Sequence, residues 1–274
     1  MFQVDRVSQR IYRISMPYVF CYLVVGEKRA ALIDCGWGYG DLKEVVRSLT
    51  DLPVVLLLSH AHPDHIGGAA QFETAYLHDA DWEMAESQSQ IDLRRSLMLP
   101  SVPEDFREDS DLWLPPRTKG YLPLKGEMSF DFGQITLSVF HVPGHTRGSM
   151  VFILPEERTA IFGDANSHPT LIIFDSSSTI GEHYEALVEL KGYSHLYDRV
   201  LVNHESGELD KIVLDNNIQL ARNILEGRDE KIPASRRAQI LSPNGKVYLA
   251  RKQKRWLPED PEDIGNIYYR EDKI

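Results

Sequence analysis

Four side chains that can bind a metal fall within six residues of this 274-residue chain: His60-Ala61-His62-Pro63-Asp64-His65. Imidazole nitrogen and carboxylate oxygen suit zinc, manganese or iron. The run directly follows Val54 to Leu58, a continuous apolar stretch bounded by Pro53. That stretch is too short for a core helix and reads as a strand buried on both faces. In a turn leaving such a strand, side chains can converge on one point with no helical or pleated period to separate them. Pro63 suits a first helical turn and Asp64 suits its positive end, so a helix is expected to begin there. Three of the chain's ten histidines, packed this closely beside an aspartate, point to a metal centre rather than to surface decoration.

A two-metal centre needs more ligands, and the chain offers them in order. His145 sits in Val142-Pro143-Gly144-His145-Thr146-Arg147-Gly148-Ser149, Asp164 ends Ile161-Phe162-Gly163-Asp164, and His204 ends Val200-Leu201-Val202-Asn203-His204. Each follows a short apolar strand pattern, and the carboxyl ends of strands are where open α/β folds place function. Singly each would be a weak candidate. The ordered series raises their weight.

The run His60 to His65 is similar to the His-x-His-x-Asp-His hallmark of the metallo-β-lactamase superfamily. Asp34, in Leu32-Ile33-Asp34-Cys35-Gly36, and then His145, Asp164 and His204 fall in that family's order. The resemblance spans roughly residues 10 to 210. It implies an α/β fold, a four-layer αβ/βα sandwich of two similar halves, here with an insertion between them. It also implies two divalent metal ions, zinc by preference, with iron or manganese as alternatives. His60, His62 and His145 would hold the first ion, Asp64, His65 and His204 the second, and Asp164 would bridge the two. Asp34 would fix the ligand turn, since a ligating imidazole needs its other nitrogen anchored. The chain departs from the pattern at Cys35, where Thr or Ser is common, and at Asn203, where Gly often precedes the last His.

Two cations about 3.5–4 Å apart can hold a bridging water and lower its pKa toward neutrality. The expected chemistry is therefore hydrolysis by a metal-bridging hydroxide of a small ester, lactone or thioester. Asp64, acceptor-only when ionised, would orient that hydroxide. A leaving-group proton would come from metal-bound water, from Asp164, or from a pocket residue such as Tyr39 or His168. An iron-dependent oxygenase or redox protein on the same fold, and a noncatalytic metal-binding protein, are the rival readings.

The elements that must position these residues follow from periodicity. Ile11 to Val25 reads as strand, Gly26 to Arg29 as a turn and Ala30 to Ile33 as the returning strand. Gly40 to Leu49 has helical spacing, with Leu42, Val45, Val46 and Leu49 on one face. Ile66 to Phe72 continues the helix expected after the ligand run, and Thr74 to His78 reads as strand. Between Asp81 and Lys125 the pattern breaks into scattered aromatics and prolines, with helix suggested only at Asp92 to Leu99. This insertion is expected to be a substrate-defining lid or a homodimer contact. Strands return at Met128 to Phe132, Ile135 to Val142, Met150 to Leu154, Thr159 to Phe162 and Arg199 to Val202. Helices are expected at Glu182 to Leu190 and Asp215 to Leu225, with His183 and His195 capping or decorating the first of them. Residues 233 to 274 read as a hairpin, Gln239 to Leu241 with Lys246 to Leu249, and a loosely held acidic tail from Glu259. The whole is expected to form one domain.

Composition excludes several classes. At 42% hydrophobic and 26% charged the chain is an ordinary globular sequence. Its net charge of -11 argues against a nucleic-acid partner, which would need a basic footprint. The basic run Arg251 to Arg255 reads as a solvated surface cluster, with phosphate binding of a carrier such as coenzyme A as the weaker alternative. The first residues lack the apolar core of a signal peptide, and no apolar run approaches a bilayer span, so a cytoplasmic location without membrane contact is expected. Cys21 and Cys35 are then expected to be reduced thiols. A glutathione-thioester hydrolase of the glyoxalase II type would carry a helical C-terminal domain, which this sequence does not suggest. Small-molecule acyl substrates lead by elimination.

Overall fold

The computed structural model describes residues 2–252 and 264–274. The chain forms two compact units: residues up to Ser138 with Asn203–Glu205, and Val139–Val202 with Ser206–Ile274.

The first unit is built on a seven-stranded sheet whose strands follow chain order: β1 (Gln3–Arg6), β2 (Ile11–Met16), β3 (Val19–Val25), β4 (Ala30–Ile33), β5 (Val54–Leu57), β6 (Ala75–Leu77) and β7 (Leu122–Pro123). A further strand, β8 (Ser129–Asp131), pairs antiparallel with the start of β9 (Thr136–His141). The first four strands meander antiparallel, while β4, β5, β6 and β7 pair in parallel. Parallel pairing brings strand carboxyl ends to one edge. Ile33 lies opposite Leu57, so the residues following β4 and β5 emerge side by side. The helix α1 (Leu42–Leu49) is capped by Asp41, which accepts from the Glu44 amide at 3.0 Å, and buries Leu42 and Val46 as its spacing predicts.

The sequence reading needs correction at three places here. Ile11 to Val25 is two strands, not one. Pro17 and Tyr18 form the turn, Tyr18 with φ +63°, and Met16 pairs with Val19. The helix after the ligand run, α2 (Pro63–Ile66), has only four residues; a single 3-10 turn at Ala69–Gln71 replaces the expected continuation to Phe72. Gly67 and Gly68 break it, and both are close-approach positions: a Cβ on Gly67 would lie 2.2 Å from the Trp37 carbonyl oxygen. The insertion is more ordered than its pattern suggested, with α3 (Trp82–Gln88) preceding α4 (Ile91–Met98). Half-exposed helices this short leave almost no period to read.

The second unit holds the rest of β9 and strands β10 (Met150–Leu154), β11 (Thr159–Ile161), β13 (Arg199–Leu201) and β14 (Glu208–Leu209), in the order β14-β13-β11-β10-β9. A four-stranded sheet adds β12 (Thr170–Ile172), β15 (Ile232–Pro233), β16 (Val247–Arg251) and β17 (Asn266–Arg270), in the order β12-β17-β16-β15. Helices α5 (Ile180–Lys191), α6 (Ile212–Leu225) and α7 (Arg236–Leu241) complete it. The sequence reading missed β12. Gln239 to Leu241 is not a hairpin arm but part of α7, capped by Ser235. The C-terminal segment is not a loose tail: all five residues of β17 are buried, pairing parallel with β12 and antiparallel with β16. Polar neighbours on either side hid this strand from its composition. Residues 259–263 lie outside the described residues, as do Gln253, Lys254 and Arg255 of the basic run. Arg251 pairs with Glu230 at 3.2 Å, and Lys252 is exposed. Among the described residues, no helix is long and apolar enough to cross a membrane.

One buried cation organises the insertion. Arg94, on α4, is fully buried and makes five hydrogen bonds, all to backbone carbonyls: Ser89, Trp37, Gly38, Gly67 and Leu114. Its guanidinium also lies 5.7 Å from the Trp113 ring centroid. Burial pulls its pKa down to about 10, so it stays protonated at neutral pH. Through Gly67 it grips the end of α2, the helix that carries Asp64 and His65. Arg94→Met should lower unfolding stability by at least about 3 kcal/mol, because it strands several buried acceptors. Lys should not rescue it, since one ammonium cannot reproduce the fork. Equal denaturant midpoints for wild type and Arg94→Met would show that the anchor carries nothing.

Candidate metal centre

The site begins with Asp34, which leaves β4 at φ +61° with its side chain fully buried. Its carboxylate accepts four hydrogen bonds. Oδ1 takes the Ser59 amide at 2.7 Å; Oδ2 takes the Ser59 hydroxyl at 2.7 Å, His65 Nδ1 at 2.9 Å and Asn203 Nδ2 at 2.9 Å. A strained backbone at a non-glycine residue persists only when its surroundings over-determine it, and four partners do so. The parallel register of β4 and β5 explains why Asp34 and Ser59 meet.

These contacts fix which nitrogen of each imidazole carries the proton. His65 Nδ1 donates to a carboxylate, so in the neutral ring Nε2 keeps its lone pair. The Ser59 hydroxyl spends its one proton on Asp34, so its oxygen accepts from His60 Nδ1 at 3.0 Å. His60 Nε2 is then the unprotonated nitrogen, and it lies 3.0 Å from His62 Nδ1. His204 Nδ1 donates to the Tyr18 carbonyl at the tip of the β2–β3 hairpin, so its Nε2 is again the unprotonated nitrogen.

The acceptor atoms gather. Asp64 Oδ2 lies 3.7 Å from His65 Nε2 and 3.5 Å from His204 Nε2. The ligand atoms of Asp64, His65 and His204 all fall within 4.8 Å of one another. Acceptors of this kind repel unless a cation or a proton sits among them, and the donor set, one carboxylate with two imidazoles, suits a divalent transition metal. The residues present fit the group that the sequence implied.

In the second unit the same logic holds on a smaller scale. His145 Nδ1 donates to the Leu171 carbonyl at 2.9 Å, and its Nε2 lies 3.5 Å from Asp164 Oδ2. His145 is 3% exposed, on the turn between β9 and β10, and Asp164 follows β11. The parallel pairing of β11 with β13 sets the edge from which Asp164 emerges.

Other predicted residues sit differently. Tyr39 is not placed as an open pocket residue: its ring is buried edge-on against Trp113, centroids 5.0 Å apart, and its hydroxyl accepts from the Asp109 amide at 2.8 Å. His168 is buried, and its Nδ1 accepts from the Gly265 amide at 2.9 Å, which ties it to the segment leading into β17. His183 does not flank α5; it lies inside it, fully buried. Cys21 and Cys35 are buried free thiols. Burial pushes the Cys35 thiol up, and its Sγ donates to the His65 carbonyl at 3.1 Å.

Three residues that position ligands escaped the sequence reading. Ser59 relays Asp34 to His60. Asn203, noted only as a departure from glycine, donates to both Asp34 and the Phe20 carbonyl, which locates the chain just before His204. Asp81, 1% exposed, accepts from the Ala61 amide at 3.1 Å and so steadies the link between His60 and His62. Adjacency to a ligand was the available signal for Ser59 and Asn203; Asp81 had none.

Asp34→Asn should weaken metal binding by about 10–100-fold, since an amide cannot accept from four donors at once. Competition with a chromophoric chelator measures this directly. Wild-type affinity in the variant would remove Asp34 from its place at the centre of the site.

Comparison with known proteins places the chain. Residues 16–195 match the family model of the metallo-beta-lactamase superfamily. The chain is 27% identical over 211 residues to an acyl-coenzyme A thioesterase MBLAC2 of Gallus gallus, covering 72% of this chain and 73% of that one. Its Homo sapiens counterpart is 29% identical over 218 residues, with 72% and 76% covered. A hydroxyacylglutathione hydrolase GloC of Haemophilus influenzae is 30% identical over 145 residues, with 50% and 61% covered. Among solved structures, a metallo-beta-lactamase from Pontibacter korlensis superposes with a TM-score of 0.59 at 19% identity, covering 81% of this chain and all of that one. The FIM-1 metallo-beta-lactamase of Pseudomonas aeruginosa, in its mono-zinc form, gives 0.60 at 17% identity, with 81% and 96% covered. At such identity these structures establish the α/β fold alone. On the family match, the chain belongs to the metallo-beta-lactamase superfamily.

Proposed function

We propose that this chain is a metal-dependent hydrolase with a two-ion centre, and that its substrate is a small-molecule thioester. The observation that carries the first part is the convergence of one carboxylate oxygen and two imidazole nitrogens from Asp64, His65 and His204, each imidazole anchored through its other nitrogen. In this reading His60, His62 and His145 would hold one ion, Asp64, His65 and His204 would hold the other, and Asp164 would serve both. Zinc is the proposed metal, and the donor set also accepts iron or manganese.

Bound divalent ions supply Lewis-acid chemistry: they acidify a water and polarise a carbonyl. The chain's own residues do the rest. Ionised Asp64 has only acceptor capacity, so it orients a water by taking a hydrogen bond from it. Asp164 is the carboxylate offered to the proton released on attack. The imidazoles of His65 and His204 cannot turn, because each is held by its Nδ1–H.

Two considerations favour a thioester. The first is the similarity to an acyl-coenzyme A thioesterase over most of the chain and to a hydroxyacylglutathione hydrolase over half of it. The second is chemical. Tyr39 is packed in the insertion's aromatic core and His168 is committed to a backbone amide, so neither is placed as a dedicated proton donor. A thiolate needs such help least, since a thiol pKa near 8.5 lies far below that of an alcohol.

Asp164→Ala should lower turnover by about two orders of magnitude or more and reduce bound metal from two ions toward one. Elemental analysis that found two tightly held ions in an active variant would refute the bridge. A panel of matched acyl thioesters and oxygen esters should show kcat/KM at least about ten-fold higher for the thioesters, as loss of leaving-group protonation predicts. Equal or reversed values would reject the substrate class while leaving the metal centre standing.

A further inference from the structure

The turn that carries His145 is held from behind. Three successive carbonyls, those of Pro143, Gly144 and His145, each accept one hydrogen bond from a single short stretch of chain. His183 Nδ1 donates to the Pro143 carbonyl at 2.9 Å, the Ser178 amide to the Gly144 carbonyl at 3.0 Å, and the Ser177 hydroxyl to the His145 carbonyl at 2.8 Å. That stretch is the entry to α5. A capping box fixes its geometry: the Thr179 side chain takes the Glu182 amide, and the Glu182 carboxylate takes the Thr179 amide. His183 follows immediately, so its ring is aimed by the first helical turn.

Gly144 completes the fit. Its φ of +156° lies at the edge of the region side chains avoid, and a Cβ there would fall 2.2 Å from His183 Nδ1. The imidazole therefore occupies the volume that any other residue at 144 would fill. Ser177 is 1% exposed and His183 is fully buried. Burial pulls the His183 pKa down to about 4, which keeps the ring neutral near pH 7, with one N–H to give.

We propose that His183 is a positioning residue for His145, acting with Ser177 and Ser178 as a three-point clamp on the turn that presents its Nε2. The inference rests on the reading of His145 as a metal ligand. The clamp does no chemistry itself. It fixes the backbone on both sides of the ligand, while the Leu171 carbonyl fixes the ring. Outer partners of a ligating histidine commonly set about 10–100-fold of metal affinity. Two anchors, one on the backbone and one on the ring, leave Nε2 a single direction.

The test compares four purified full-length variants for zinc affinity by chelator competition, for the visible spectrum after cobalt substitution, and for thermal midpoint. His183→Asn keeps a donor close to the Nδ1 position; His183→Leu fills the space without one. Ser177→Ala removes the third point of the clamp, and His145→Ala removes the ligand. The clamp predicts that His183→Leu and Ser177→Ala each lose about ten-fold or more in affinity for one of the two ions, with altered cobalt bands, and that His183→Asn restores both. A purely structural role would lower the midpoint of His183→Leu yet leave affinity and cobalt bands as in wild type, and that result overturns the proposal. If His145→Ala loses metal while His183→Leu and Ser177→Ala bind normally, the clamp fails and the metal centre stands. If His145→Ala itself keeps both ions, the metal assignment fails and the clamp with it.

Discussion

The carboxylate of Asp34 is the constraint on which the candidate metal centre of the first unit depends. It is not itself proposed as a ligand, yet three of the candidate histidines answer to it. It fixes the ring of His65 directly, that of His60 through the Ser59 hydroxyl, and the chain ahead of His204 through Asn203. A buried carboxylate with fewer donors would be costly. Here desolvation is offset by four hydrogen bonds, three of them from residues next to a candidate ligand in the chain and one from His65 itself. Sheet topology makes this arrangement: only parallel strands place the turn after β4 beside the turn after β5.

The clustering of candidate ligands was legible in the sequence because their chemistry is compressed into short runs at strand ends. Asp34 was legible through the family's order of motifs. What surrounds them was less so, for physical reasons. Hydrogen bonds from the Ala61 amide to Asp81, or from His183 to the Pro143 carbonyl, join residues far apart in the chain, and no local period encodes such a pairing. Strand β17 was unreadable for a related reason. Five buried residues between polar flanks look like a tail until a parallel neighbour is known. The helices were recovered where they are long, as for α5 and α6, or carry a regular apolar face, as for α1, and lost where they are short and lack one, as for α3 and α7.

Both units use one device for their histidines. Nδ1 donates to a fixed oxygen, and Nε2 is turned toward a carboxylate: Asp64 for His65 and His204, Asp164 for His145. The fixed oxygen differs each time: a carboxylate for His65, the Tyr18 carbonyl for His204, the Leu171 carbonyl for His145. Backbone carbonyls serve as well as side chains here, because the ring needs only an acceptor in a set place.

The anchoring of the insertion by Arg94 has a consequence for how this protein can diversify. All its hydrogen-bond acceptors are main-chain oxygens, so, apart from the ring of Trp113, the anchor senses the path of the chain and not the identity of the residues along it. Side chains between residues 95 and 113 can drift under selection without any matching change at the guanidinium. The chemistry along that segment can thus be exchanged while the fastening underneath stays the same.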